Sequence, residues 1–187
     1  MNILKGFIKY IKFLLLNFII FITGFIKDKN SIYFFNIIFI FKNKSFRFGY
    51  DKDLNLFFLN DKKNKHYFSN KIRGINLYSC GLKFRANQIA DSYKLNNIKF
   101  KNSDKVIDCG ANYGDLWLYL RGRINIDNYI TFEPGINEFK ALSKNINNNN
   151  NYNLGLDNIT SQKTFYINEK DADSSIVEPK KYNSIYQ

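Results

Sequence analysis

The amino-acid sequence predicts an α/β protein on three observations. A short apolar run before Gly110 is followed by a glycine-containing turn and an unbroken apolar segment, the order of strand, loop and helix. The same order recurs over residues 129–146, where Glu133-Pro134 closes the strand. Upstream, over residues 45–79, short apolar runs alternate with turn residues, which is typical of antiparallel strands. The sequence therefore predicts part of a parallel, helix-covered sheet preceded by a small antiparallel β-region.

The central stretch, residues 104–115, reads D-K-V-I-D-C-G-A-N-Y-G-D. Val106 and Ile107 predict a buried parallel strand that leads into the loop 110–114. Residues 116–120 follow without a helix breaker, so a helix is expected to begin near Asp115. Glycines let backbone N–H groups approach a ligand, and a helix N-terminus adds a partial positive charge. We therefore expect this stretch to form the cradle of a nucleotide-like ligand.

The second unit begins with a buried strand over residues 129–132, which Pro134 ends. Residues 136–146 then predict a helix whose apolar side chains share one face. Beyond it, the pattern predicts a loop, two short strands and a polar, turn-rich tail, in that order: residues 147–151, 154–156, 164–167 and 171–176.

Residues 1–26 predict a basic, apolar N-terminal helix. Lys5, Lys9 and Lys12 share one helical face, and the 14 residues from 13 to 26 carry no charge. That run is short of the roughly 20 apolar residues that a spanning helix needs, so we favour a helix lying on a membrane surface. A helix docked on the domain and a spanning or signal segment are the alternatives. Residues 32–41 form a second apolar run, either a strand or part of the same anchor.

Residues 45–79 predict a small antiparallel meander, because Phe46 and Phe48, and then Leu54, Leu56 and Phe58, follow period-2 spacing. A helix is expected over residues 81–95, with four apolar side chains at roughly helical spacing: Leu82, Ile89, Ala90 and Tyr93. The predicted organisation is an N-terminal helix over residues 1–30, a β-rich region over 31–82 and a partial nucleotide-binding domain over 83–187.

Charge is unevenly distributed along the 187 residues. Residues 1–105 carry 20 Lys+Arg and 6 Asp+Glu, a net +14, whereas residues 106–187 carry 8 and 10, a net −2. The basic half suggests an anionic surface or substrate, although a merely solvated basic face explains the charge equally well. No nucleic-acid-binding motif accompanies the charge, so a nucleic-acid partner is not expected.

The cysteines and the histidine give no metal site. Cys80 and Cys109 are too few for a disulfide framework and have no metal-ligand neighbours, and Cys109 is expected to be a small buried side chain. His66 follows a run of lysines in what reads as an exposed charged turn, so we expect a structural or solvent-facing role.

Two carboxylates define the candidate site. Asp108 and Glu133 each end a predicted parallel strand, and the carboxyl ends of neighbouring strands are where open α/β sheets bind ligands. Glu133 is placed to accept hydrogen bonds from both hydroxyls of a ribose. The loop reads G-x-x-x-G rather than the G-x-G-x-x-G of dinucleotide folds. Asp108 would repel a pyrophosphate but suits a ligand that carries an ammonium and a sulfonium.

Together, V-I-D-C-G-A-N-Y-G at residues 106–114 and F-E-P at 132–134 resemble the FkbM family of S-adenosylmethionine-dependent methyltransferases. N-L-G-L-D at 153–157, F-Y at 165–166 and D-S-S at 173–175 are similar to that family in order and spacing. The resemblance covers residues 84–179 and implies a class I Rossmann-like domain and O-methyl transfer to a sugar of a glycan, lipid-linked oligosaccharide or polysaccharide. It also implies S-adenosylmethionine-binding roles for seven residues: Asp108, Gly110, Ala111, Asn112, Gly114, Glu133 and Asp157. Of these, Asp108 and the loop would hold the methionine part, Glu133 the ribose, and Asp157 the adenine side.

The chain departs from the family after this region. Only 79 residues follow Asp108, which accommodates three or four strands where a doubly wound sheet has about six. No Lys-x-Asp-x-Glu-Gly-like stretch is present, and no general base can be named from the sequence. We therefore expect an incomplete, C-terminally truncated methyltransferase sheet in a cytoplasmic protein with peripheral membrane contact. The alternative is a non-catalytic remnant or a membrane-associated binding module.

Overall fold

The computed structural model describes residues 29–36, 45–62 and 64–167, together with Leu14, Phe18 and residues 185–186. Within these ranges the chain is a mixed α/β protein with a small antiparallel sheet and a small parallel sheet, which confirms the predicted class at that level. The helices that lie entirely within these ranges are α1 (Lys71–Tyr78), α2 (Leu82–Ser92), α3 (Asp115–Leu120) and α4 (Ile136–Asn145), and residues 34–36 are also helical. Three 3-10 helices span Lys29–Tyr33, Leu95–Asn97 and Ile126–Asn128.

The antiparallel sheet has the order β1 (Arg47–Asp51), β2 (Leu56–Asp61), β3 (Asn64–Phe68), so the predicted meander is present. The predicted alternation placed Leu56 and Phe58 of β2 on one face, but Phe57 and Leu59 are also buried and Phe58 is only half-buried. Adjacent residues of a strand point to opposite faces, yet Leu56 and Phe57 are both buried. The first 3-10 helix contacts β1 and α1 contacts β2, and Lys71 Nζ of α1 donates to Ser31 Oγ of the 3-10 helix at 2.8 Å, so both elements cover this part of the sheet.

Helix α1 corrects the prediction that the β-region extends to residue 79. The meander ends at Phe68, and Asn70 begins a helix by accepting a 3.0 Å hydrogen bond from the backbone N–H of Arg73. Gly74 lets this helix approach the sheet closely, because a Cβ at this position would lie 2.0 Å from Cδ2 of Phe68. The helix predicted over 81–95 is present as α2, although Tyr93 lies just beyond it and is exposed.

The parallel sheet has the order β4 (Val106–Cys109), β5 (Tyr129–Phe132), β6 (Asn151–Tyr152). The first two strands lie where the sequence predicted them, and Asp108 pairs with Thr131 in the register. Strand β4 is not buried as expected: Ile107 is 60% exposed, and Cys109 is exposed as well. Ile107 and Cys109 are two residues apart and share one face of the sheet, so their exposure means that no described element covers this face at β4.

The third strand was predicted at residues 154–156, but it lies at Asn151–Tyr152 and begins at the last residue of the segment predicted to be loop. Leu154 and Leu156 are exposed instead. Hydrogen bonds from asparagine side chains explain the shift. The side-chain amide of Asn151 donates to the backbone carbonyl of Ile146, and its oxygen accepts from Thr131 Oγ1 at 2.8 Å. Low sequence complexity therefore does not mean an unstructured loop here.

The strand predicted over 164–167 is present in part as β7 (Tyr166–Ile167), which pairs antiparallel with β8 (Ile185–Tyr186). Except for Leu14 and Phe18, the predicted N-terminal helix over residues 1–26 lies outside the described residues, as does the predicted tail over 171–176. Among the helices in the described part of the chain, none has the length and apolar character needed to cross a bilayer.

The two sheets share one hydrophobic core, and α4 connects them. Helix α4 packs against β3 of the antiparallel sheet and contacts β6 of the parallel sheet. Asn145, the last residue of α4, donates from Nδ2 to the carbonyls of Tyr67 (2.8 Å) and Tyr113 (2.7 Å). The β-rich region is thereby fixed against the loop 110–114, where the candidate site lies.

Candidate functional site

A cavity of about 310 Å³ opens at the carboxyl ends of β4 and β5. Its wall contains five of the seven residues that the sequence nominated: Asp108, Gly110, Ala111, Asn112 and Glu133. The parallel register places Asp108 opposite Thr131 and Cys109 opposite Phe132, so the two acids leave the sheet at the same edge. The pairing of two parallel strands is therefore what brings these carboxylates to one cavity.

Asp108 is held by Tyr129, whose hydroxyl donates to Oδ2. Burial raises the pKa of the Asp108 carboxyl, and the hydrogen bond from Tyr129 opposes that rise. The nearby charge of Asp115 raises it further. A carboxylate in this situation gains from a cationic ligand, because a positive charge would offset its desolvation.

Glu133 is buried and is fixed by two backbone N–H groups. Oε2 accepts from Asn112 at 2.7 Å, and Oε1 accepts from Gly135 at 2.8 Å. Burial raises the pKa of Glu133, whereas these two hydrogen bonds lower it. An ionised carboxylate has about four lone-pair sites, so each oxygen can accept one more hydrogen bond from a ligand in the cavity.

The loop 110–114 does not offer its backbone donors in the way the sequence suggested. The N–H groups of Gly110 and Ala111 both donate to the carbonyl of Phe132, at 2.8 and 3.0 Å. That of Asn112 goes to Glu133, and the N–H of Tyr113 goes to the Asn112 side chain at 3.0 Å. The loop is thus fixed internally, and the acceptors around it are better placed to contact a ligand than its donors.

The two loop glycines have different roles. Both have left-handed backbone angles, with φ of 78° at Gly110 and 80° at Gly114. A Cβ on Gly110 would meet nothing within 4 Å, so the space beside this residue is open to the cavity. A Cβ on Gly114 would lie 2.7 Å from Cδ1 of Ile146. Gly114 therefore serves packing against the segment after α4, and it does not line the cavity.

Asp157 is not brought to the cavity. Its carboxylate pairs with Lys163 and accepts from the backbone N–H of Asn158 at 2.7 Å. The hydrogen bond from Lys163 lowers the pKa of Asp157. Its role on the adenine side stays a prediction.

Asp115 is the centre of a buried polar cluster that sequence reasoning missed. Tyr78 donates to Oδ1 at 2.5 Å, and His66 Nε2 lies 3.2 Å from the same oxygen. Arg85 Nε donates to Oδ2 at 2.7 Å, and a terminal nitrogen of Arg85 forms an ion pair with the same oxygen at 2.7 Å. Burial by itself would raise the pKa of Asp115, but His66, Arg85 and Tyr78 together lower it to about 2.

His66 was assigned wrongly to an exposed turn, because it lies in β3 and is 3% exposed. The lysine run before it suggested solvent, but strand alternation turns this one side chain inward. The burial of His66 excludes the solvent-facing role, and the structural role stays a prediction. The only sequence signal for the cluster was an acid at the first position of α3, which is commonly only a favourable charge at a helix N-terminus.

Two arginines also line the cavity, Arg73 from α1 and Arg85 from α2. Neither belongs to a motif, so the sequence did not nominate them. Among the described residues, no group of three or more His, Cys, Asp or Glu side chains is placed to hold a metal ion. The wall of the cavity therefore carries more carboxylates than guanidinium groups, of which it has two.

No protein-family model, no curated protein and no solved structure matches this chain. The resemblance to the FkbM family therefore stays a prediction carried by residues 106–114 and 132–134.

Proposed function

We propose that the protein binds S-adenosylmethionine in this cavity and transfers its methyl group to a sugar hydroxyl, as a Rossmann-like O-methyltransferase. The observation that carries the proposal is the position of Asp108 and Glu133. They end adjacent parallel strands and face one cavity of about 310 Å³ beside an open glycine. The crevice outside the carboxyl ends of parallel strands is where open α/β sheets bind ligands.

The residues present fit such a ligand. Glu133 is buried and held by two backbone hydrogen bonds, and its unused acceptor sites suit the two hydroxyls of a ribose. Asp108 suits an ammonium group, because its carboxylate is partly desolvated and has one hydrogen bond on Oδ2. The open space beside Gly110 leaves room for the part of the ligand that lies between Asp108 and Glu133.

When bound, S-adenosylmethionine supplies an electrophilic methyl group. The contribution of the protein would be to hold that methyl group in line with an acceptor hydroxyl and to exclude water. The excess of positive charge in residues 1–105 favours an anionic acceptor, such as an acidic or phosphate-linked sugar.

The first test is isothermal titration of the full chain with S-adenosylhomocysteine. Asp108→Ala should weaken binding at least about tenfold, since a hydrogen bond to a charged group is worth roughly 1.5–3 kcal/mol. The control is Asp127→Ala, which removes an exposed carboxylate outside the cavity and should bind like wild type. Equal binding by wild type and Asp108→Ala would contradict the proposed site.

The second test separates an enzyme from a binding module. Incubation with methyl-labelled S-adenosylmethionine and acidic or neutral oligosaccharides should label the acidic acceptors more strongly. Tight cofactor binding without transfer to any acceptor would favour the alternative of a non-catalytic module that keeps the cofactor site.

A further inference from the structure

We infer that Arg73 is the carboxylate-binding residue of the cavity and holds the carboxylate of the methionine part of the cofactor. The inference rests on the proposed function and assigns a specificity-determining role to a helix that lies outside the nucleotide-binding motif.

The position of Arg73 is fixed by α1 and by the cavity loop. Its backbone N–H is bonded to the Asn70 side chain in the first turn of the helix. Its guanidinium lies over the ring of Tyr113, 5.1 Å from the centroid. Tyr113 is fully buried and belongs to the loop 110–114, so the stacking contact holds the guanidinium at the loop.

The two cavity arginines differ in their partners. Arg85 already forms an ion pair and a hydrogen bond with Asp115 and donates a second hydrogen bond, at 2.8 Å, to Gln88. Arg73 is half-buried and forms no ion pair with any carboxylate of the described residues. A partly desolvated guanidinium has up to five donors in a planar fork, and a carboxylate is its best bidentate match.

The surrounding acids indicate which anion the cavity accepts. Asp108, Glu133 and Glu138 line the same wall, and Glu138 is held there by Ser69 Oγ at 2.9 Å. Burial raises the pKa of Glu133 and the charge of Arg73 lowers it, so the two groups already interact, although they form no direct ion pair. A phosphate group would meet three carboxylates around this one guanidinium, which is unfavourable. An amino-acid group is zwitterionic, so Arg73 can take its carboxylate while an acid takes its ammonium. The wall is therefore complementary to an amino acid and not to a phosphate.

The experiment compares two ligands by isothermal titration of the full chain. S-adenosylhomocysteine has the carboxylate, whereas its decarboxylated analogue keeps the amine, thioether and nucleoside. Wild type should bind S-adenosylhomocysteine at least about tenfold more tightly, and Arg73→Gln should bring the affinity ratio close to one. Arg73→Lys keeps the charge and should retain part of the preference.

The matched control is Arg123→Gln. Arg123 also stacks on a tyrosine, 4.0 Å from the ring centroid of Tyr119, but does not line the cavity. Its loss should leave the affinity ratio unchanged. A preference for the carboxylate that survives in Arg73→Gln, or equal binding of both ligands by wild type, would overturn the role of Arg73 alone. If wild type bound neither ligand, the proposed function itself would fail.

Discussion

Replacing Asp115 by Asn tests the buried cluster that joins β3, α1, α2 and α3. The substitution keeps an oxygen for Tyr78 and His66, but it turns an amide donor toward the guanidinium of Arg85, which now pairs with Oδ2. Arg85 loses its partner in a partly buried place, and removing one member of a buried ion pair costs roughly 3–5 kcal/mol. The lowered pKa of Asp115 gives a second value for the contribution of its ionisation to the free energy of unfolding. A fall from 3.8 to about 2 corresponds to about 2–3 kcal/mol.

The pH dependence follows from the direction of this shift. Because the pKa of Asp115 is lower in the folded state, its ionisation stabilises the fold fully above pH 3.8, and the gain is lost as the pH falls toward about 2. Urea unfolding of wild type and Asp115→Asn should therefore differ by about 2–5 kcal/mol at pH 7 and by much less near pH 2.

The exposed Asp127→Asn is the matched control and should change stability by less than about 0.5 kcal/mol. The reasoning would be refuted if Asp115→Asn matched wild type at pH 7. A large difference that stayed constant down to pH 2 would refute the ionic explanation and leave only a packing effect.

Two further predictions concern packing and the N-terminal segment. Gly74→Ala should destabilise the protein by about 1–2 kcal/mol in urea unfolding, because overpacking against the fully buried Phe68 outweighs the gain in helix propensity. Lys5, Lys9 and Lys12 are predicted to hold residues 1–26 on an anionic membrane surface, at about 1 kcal/mol each. Changing all three to Gln should reduce co-sedimentation with anionic vesicles.

Controls for both are available in the chain. Gly155→Ala should be nearly neutral, since a Cβ there would be 3.7 Å from Cβ of Pro134, an ordinary contact. For the vesicle experiment, a second triple Gln variant changes the same charge at three exposed positions, Lys99, Lys101 and Lys105. An unchanged or more stable Gly74→Ala protein would contradict the packing argument. Equal loss of vesicle binding in both triple variants would show that overall charge, not the N-terminal face, drives association.

The sequence by itself determined the local order of elements in the parallel sheet. Val106 to Asp115 predicts strand, loop and helix, because apolar periodicity and glycine positions act over a few residues. The ends of β4 and β5 carry Asp108 and Glu133, and parallel pairing then requires both to lie at one edge. The class and the position of the cavity were therefore predictable.

Only the tertiary structure decided how the β-rich region contributes to this site. His66 and Asp115 are 49 residues apart in the sequence. Arg73 contacts Tyr113 from α1, which was predicted to be part of the meander. Such contacts depend on how separate elements pack, which no local pattern encodes. The asparagines near residue 150 show the same limit. The side chains of Asn148 and Asn153 donate to the backbone carbonyls of Tyr129 and Glu133, which are far away in the sequence, and these partners help to place β6 beside β5.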